Sequence, residues 1–182
     1  FKLDEEFIYT NKCLNRVTSK NIYVHSNYPS ENNAAFDGFA IKSSDTKRFN
    51  NKVNNRFKII GSIAAGDKPL KKKIKRFQAI EIMTGALLPK SFDTIIPIEQ
   101  INFYPNRKNA KYILINKKVS KFDHVRFKGS DYKKGDLLIS KGTILQPNHI
   151  LALKTLGVRK IKVKKKINII FFSSGNEISN SD

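Results

Sequence analysis

Apolar and polar positions along the chain change rhythm several times, and each rhythm predicts a different kind of element. Near the start, Leu14 and Val17 lie three apart behind Thr10 and Asn11, whose side-chain oxygens suit the free amides of a first helical turn. That spacing predicts a short helix over residues 11–19. Residues 22–25 (IYVH) then read as a strand, and residues 27–33 (NYPSENN) cluster turn formers. From residue 36 to about 127 the chain breaks into short β-type runs at 39–41, 57–60, 78–83, 94–98 and 112–115. Short strands separated by turn signals, with little helical periodicity, predict a compact β-barrel or sandwich. Pro97 belongs at a strand end or on an edge, because it has no amide to give a ladder.

Beyond residue 128 the rhythm changes again. Gly135 and Gly142 bracket a short strand as turn residues. Pro147 suits a first helical position, Ile150, Leu153 and Leu156 fall on one face, and Gly157 supplies a left-handed cap. Residues 158–163 alternate apolar with basic, as a half-buried strand does. Residues 167–172 (INIIFF) form a continuous apolar run, the pattern of a strand buried on both faces. Such a strand needs covering helices, and the polar residues 173–182 do not supply them. The chain is therefore expected to break off one strand and one loop into an α/β domain.

Composition narrows the classes. The 182 residues are 40% hydrophobic, with 13 Phe and no Trp, which fits a globular chain rather than a disordered one despite 27% charged residues. A net charge of +20 attracts anions, so nucleic acid, acidic membrane surfaces and phosphorylated or oxyanionic small molecules all enter consideration. Charge alone does not choose among them, and a lysine-, asparagine- and isoleucine-rich background with Lys spread over solvated faces is read as its main source. Residues 71–76 (KKKIKR) are basic without aromatic interleaving, so they read as a solvated loop and nucleic-acid binding is not expected. Cys13 is the only cysteine, which rules out an intrachain disulfide and suits a reducing cytoplasm. No run approaches the length of a membrane span, the opening residues FKLDEE do not resemble a secretory signal, and the absence of an initial Met implies a start downstream of the natural one. His25, His124 and His149 lack zinc-ligand spacing.

Several short segments carry candidate chemistry. Asp37 precedes Gly38 in a tight segment, where a turn aspartate bonding its own backbone is the plain reading. Thr84 and Gly85 follow a strand, as a turn or as a hydroxyl and amides facing an anion. Arg126 and Asp131 flank Gly129, either as a local ion pair or as an arginine for phosphate with a carboxylate shaping the site; both readings stay open. Ser174, Gly175 and Glu177 lie in the loop after the apolar run, where parallel α/β domains bind ligands.

Taken in order and spacing, residues 34–41 (AAFDGFAI), 80–89 (IEIMTGALLP) with 92–99 (FDTIIPIE), 125–131 (VRFKGSD) with 134–138 (KGDLL), and 173–178 (SSGNEI) resemble the molybdopterin molybdenumtransferase family, which includes the corresponding half of gephyrin. Here Phe36 and Phe39 stand where that family usually has Met and Tyr, and Asn176 stands where it has Asp.

The resemblance implies a mixed α+β fold. An elongated, discontinuous α/β dimerisation domain would be formed by residues 1–35 and 128–165, and a β-rich, barrel-like domain by the inserted residues 36–127. Residues 166–182 would begin an incomplete molybdopterin-binding α/β domain. It further implies a cytoplasmic homodimer that inserts molybdate into adenylylated molybdopterin and releases AMP, with a divalent cation such as Mg2+. Asp37, Thr84, Asp131 and Glu177 take catalytic roles by that resemblance, and Gly85, Arg126, Ser174 and Gly175 substrate-binding roles. The metal ligands stay unassigned, and Asp93 and Glu99 read as loop-fixing. A dimerisation or scaffold module without turnover is the alternative, and a basic nucleic-acid-binding protein a less favoured one.

Overall fold

The computed structural model describes residues 3–49, 55–68, 73–172 and 174. In chain order the strands are β1 (Glu5–Tyr9), β2 (Ile22–Tyr23), β3 (Asn33–Ala34), β4 (Gly38–Ile41), β5 (Asn55–Ile63) and β6 (Gln78–Ile82). There follow β7 (Thr94–Pro97), β8 (Asn102–Tyr104), β9 (Tyr112–Ile115), β10 (Val125–Arg126) and β11 (Leu137–Ile139), then helix α1 (Pro147–Thr155) and β12 (Lys160–Lys164). Two compact units result, residues 1–25 with 135–182 and residues 26–134.

The larger unit is organised by a curled six-stranded sheet in the order β7-β4-β6-β5-β9-β8, antiparallel except where β5 runs parallel to β6. Successive strand residues point to opposite faces, and here both faces are covered. Ala40, Ile80, Ile82 and Ile95 join one apolar cluster, whereas Phe39, Ile41, Ala79, Ile96, Ile113 and Ile115 join another. That double burial explains why β4 and β7 read as unbroken apolar runs rather than alternations. Along β5 the register shifts between Ile59 and Ser62, and the irregularity sends Ile63 to the cluster opposite that of Phe57. Pro97 ends β7, an edge strand, as its missing amide requires.

The smaller unit pairs β1 with β12 and β11 with β2, both antiparallel. The alternation of residues 160–164 is realised: Ile161 and Val163 are buried with Cys13, Ile139, Leu145 and Leu153, while the intervening lysines face outward. Helix α1 begins at Pro147, where the Gln146 amide donates to His149 Nδ1 at 3.0 Å, and its chain leaves through Gly157 at φ +72°. His149 thus serves the helix start. Cys13 is fully buried, its thiol donates to the Thr10 carbonyl at 2.8 Å, and burial pushes that thiol up from its ordinary pKa.

Two sequence expectations are corrected. The helix predicted over residues 11–19 is a single 3-10 turn, Thr10–Lys12. Thr10 Oγ1 donates to the Val158 carbonyl at 2.5 Å instead of capping, and Val17 and Thr18 are taken up in bridges to Ile144 and Val163, so tertiary pairing outweighs local helical spacing. The strand predicted at residues 167–172, with which an α/β domain was to begin, has no partner among the described residues; Ile167, Ile169, Ile170, Phe171 and Phe172 are 57–88% exposed. A doubly buried strand needs neighbours on both edges and layers on both faces, and no described residue supplies them. Among the described residues the fold is therefore mostly β, with one α-helix.

Candidate functional site

A three-stranded patch in residues 26–134 positions the candidate residues. β3 lies between two antiparallel neighbours. On one side Ala34 faces Val125 and Asn33 faces Arg126 of β10. On the other, the Gly85 amide donates to the Ala34 carbonyl and the Ala34 amide to the Ala86 carbonyl, both at 2.9 Å, and Asn33 bridges Leu87. Gly85 holds φ +81°, which a side chain would strain, and this lets the chain turn back from β6 along β3. Gly38 is needed for a different reason: a Cβ there would stand 2.1 Å from the Ile96 carbonyl oxygen of β7.

Asp37, between β3 and β4, meets Thr84 across this turn. The Thr84 amide donates to Asp37 Oδ1 at 2.7 Å and the Thr84 hydroxyl to the same oxygen at 2.6 Å. These two bonds hold the exposed Asp37 carboxyl below its ordinary pKa, outweighing slight desolvation. The carboxylate is thus ionised and oriented by neutral donors. Among the described residues Oδ2 has no hydrogen-bond partner, so it is free to accept from water or a ligand. The turn-aspartate reading is replaced by a contact between residues 47 apart in sequence.

Arg126 and Asp131 also meet, as a two-point ion pair: Arg126 Nη2 donates to Asp131 Oδ2 and Nε to Oδ1 at 3.4 Å, while the Ser130 hydroxyl donates to Oδ1 at 3.1 Å. The guanidinium carbon stands 5.9 Å from the Tyr28 ring centroid. With side chains 41% and 33% exposed, the pair is worth about 0–1 kcal/mol.

Ser174 is exposed, while Gly175 and Glu177 lie outside the described residues. Asp93 accepts the Ser43 amide and hydroxyl at 2.7 and 3.0 Å, which fixes that loop. Glu99 lies in the 3-10 turn Ile98–Gln100. The His124 ring packs edge-on against Phe36 at 5.1 Å, and among the described residues no group of three or more His, Cys, Asp or Glu could hold a metal ion. Two residues were not singled out by sequence. Asn33 is 7% exposed and its Oδ1 finds no hydrogen-bond partner among the described residues. Asp45, 5% exposed, accepts from the Phe77 amide at 2.9 Å and Arg76 Nε at 3.2 Å. Nothing in the local sequence marks either, because each is defined by what a distant segment places beside it.

Against this geometry, the model of the MoeA N-terminal region (domain I and II) matches residues 2–157. The chain belongs to this MoeA N-terminal family. Relatives named molybdopterin molybdenumtransferase match nearly all of the chain. That of Staphylococcus aureus (strain Mu50 / ATCC 700699) is 30% identical over 167 residues, 92% of this chain and 38% of the relative. That of Bacillus subtilis (strain 168) is 29% identical over 178 residues, 97% of this chain and 41% of the relative. Among solved structures, the molybdopterin biosynthesis MoeA protein from Pyrococcus horikoshii OT3 superposes with a TM-score of 0.80 at 30% identity, covering 88% of this chain and 41% of that one. The chain thus has a MoeA-like fold and spans about two fifths of the length of these relatives. No helix among its described residues is long and apolar enough to cross a membrane.

Proposed function

We propose that this chain is the front part of an enzyme that inserts molybdate into adenylylated molybdopterin and releases AMP. The observation that carries the reading is the Asp37–Thr84 contact, two family-motif residues joined by paired 2.6 and 2.7 Å bonds. Relatives named molybdopterin molybdenumtransferase support it. The reaction breaks the phosphoanhydride bond to AMP and joins an oxyanion to a dithiolene. Its site must therefore gather negative reactants and orient an attacking oxygen. A carboxylate whose pKa is lowered is a poor proton donor at neutral pH, so Asp37 acts by orienting water or a ligand through Oδ2. Thr84 fixes its rotation. Arg126 exchanges Asp131 for a substrate phosphate, and Glu177 with Ser174 and Gly175 completes the pterin side.

The protein works as a homodimer in the cytoplasm, with Asp37 and Thr84 acting on substrate held by the pterin domain of the other subunit. The described residues hold no group of three or more His, Cys, Asp or Glu, so they assign no ligands to the divalent cation.

The test is a full-length version carrying Asp37→Ala or Thr84→Ala. Both should stay folded and dimeric and lose molybdenum insertion; retained insertion in both removes these assignments. A second reading is a dimerisation module without turnover. Assay of the 182-residue chain with adenylylated molybdopterin and molybdate separates the two, and little or no turnover is expected from this chain alone.

A further inference from the structure

We propose that a lysine-rich cleft in residues 26–134 is a binding site for the phosphate groups of a small anionic ligand. The cleft has a volume of about 650 Å3, within the range of small-molecule sites, and Lys42, Lys90, Lys121 and Lys128 line it with Glu31 and Asp93. Both carboxylates are already engaged. Glu31 takes Lys128 Nζ at 3.1 Å, and Asp93 takes the Ser43 amide and hydroxyl. Lys42, Lys90 and Lys121 have no carboxylate partner among the described residues. Lys42 Nζ donates to the Ile74 carbonyl at 3.3 Å, and Lys121 Nζ stands 4.7 Å from the Phe122 ring centroid. Three ammonium groups around one concavity repel each other, and an anion placed among them removes that repulsion while meeting donors suited to phosphate oxygens.

The cleft also has a flat apolar wall. Phe122 is 40% exposed and braced edge-on by Phe127 at 5.3 Å, a surface on which a planar ring can stack. Its position connects it to the candidate site. The Leu88 amide donates to the Asn32 carbonyl at 3.0 Å and the Lys128 amide to Asn32 Oδ1 at 2.9 Å, so the cleft abuts the start of β3 while Asp37 follows its end. Asp37 follows Asn32 by five positions in sequence, at most about 18 Å of chain. The cleft and Asp37 thus flank one short stretch of chain, Asn33–Ala34 and the residues after it. The inference rests on the molybdenumtransferase reading for the ligand's identity, a phosphoanhydride of a nucleotide, and not for the site itself.

Calorimetric titration of the 182-residue chain with AMP, pyrophosphate and adenosine tests it without any turnover, so its outcome is independent of whether molybdenum insertion occurs. AMP and pyrophosphate should bind and adenosine should not. Lys90→Glu with Lys121→Glu should weaken both phosphate ligands by about tenfold or more. Lys12→Glu with Lys20→Glu makes the same charge change on exposed lysines outside the cleft, and should weaken them far less, with circular dichroism confirming the fold of each variant. Tighter AMP than pyrophosphate, lost in Phe122→Ala, assigns the cleft to a nucleotide; the reverse order assigns it to an inorganic oxyanion. Equal weakening by the two lysine pairs, or no binding of either phosphate ligand, overturns the proposal.

Discussion

Two carboxylates of the candidate site are held in opposite ways. Asp37 is fixed by a neutral hydroxyl and an amide from a residue 47 positions away, whereas Asp131 is paired to a guanidinium five positions away. Neutral donors lower a carboxyl pKa without cancelling its charge, so Asp37 keeps both a full negative charge and an open oxygen. An ion pair cancels the charge locally and occupies both oxygens. The first arrangement requires β3, β4 and the turn after β6 to be assembled, while the second joins the end of β10 to the loop that directly follows it. The Asp37 contact is therefore the one that folding creates and the one available to a reactant.

The largest expected effect follows from removing that free carboxylate. In a full-length version, Asp37→Ala should lower molybdenum insertion by about 10²–10⁴-fold with the fold intact, read by metal content per chain and circular dichroism. Thr84→Val should cost less, about 10-fold to 100-fold, since the amide bond remains, and Thr84→Ser should stay close to wild type; an equal loss in Ser and Val would mean that the hydroxyl is not the working group. Arg126→Ala and Asp131→Ala should each change stability by about 1 kcal/mol or less, read by urea unfolding, because the pair is exposed.

The smallest effects are titrations. In carbon-detected NMR, Asp37 should titrate below an ordinary aspartate and move up in Thr84→Val. Its folded pKa is depressed, so its contribution to stability is present above the ordinary carboxylate value and is lost as pH falls through the lowered one. Glu5 gives the contrasting case held by cations. Lys162 and Lys164 reach it at 2.7 and 2.9 Å and bring its pKa from 4.5 to about 2, so the β1–β12 contribution should be full above about pH 4.5 and fall away progressively toward pH 2; a Glu5 midpoint near 4.5 would refute the pairing.

Much of the fold was legible because local pattern and tertiary demand agreed. The runs at 39–41, 78–83, 94–98 and 112–115 are strands within a residue or two, and Pro147 and Gly157 mark the helix they were expected to mark. Agreement failed where a segment's fate depends on a partner. Residues 94–97 and 167–172 are both apolar runs, yet the first is buried between two clusters and the second is exposed, since burial belongs to what packs against a run and not to its composition. The site divides in the same way. Asp37 and Thr84 were both candidates from motif resemblance, but their bond is not written in either segment, and Asn33 carries no local mark at all. The lysines of the cleft come from four separated stretches, so in sequence they were indistinguishable from background charge.

The claim on which the account turns is that Asp37 and Thr84 act as one unit. A double-mutant cycle of molybdenum insertion in a full-length version, comparing Asp37→Ala, Thr84→Ala and the combined variant, measures this directly. The account predicts that the combined variant loses no more activity than Asp37→Ala alone. Losses that multiply, or single variants that insert molybdenum at the unaltered rate, would contradict it.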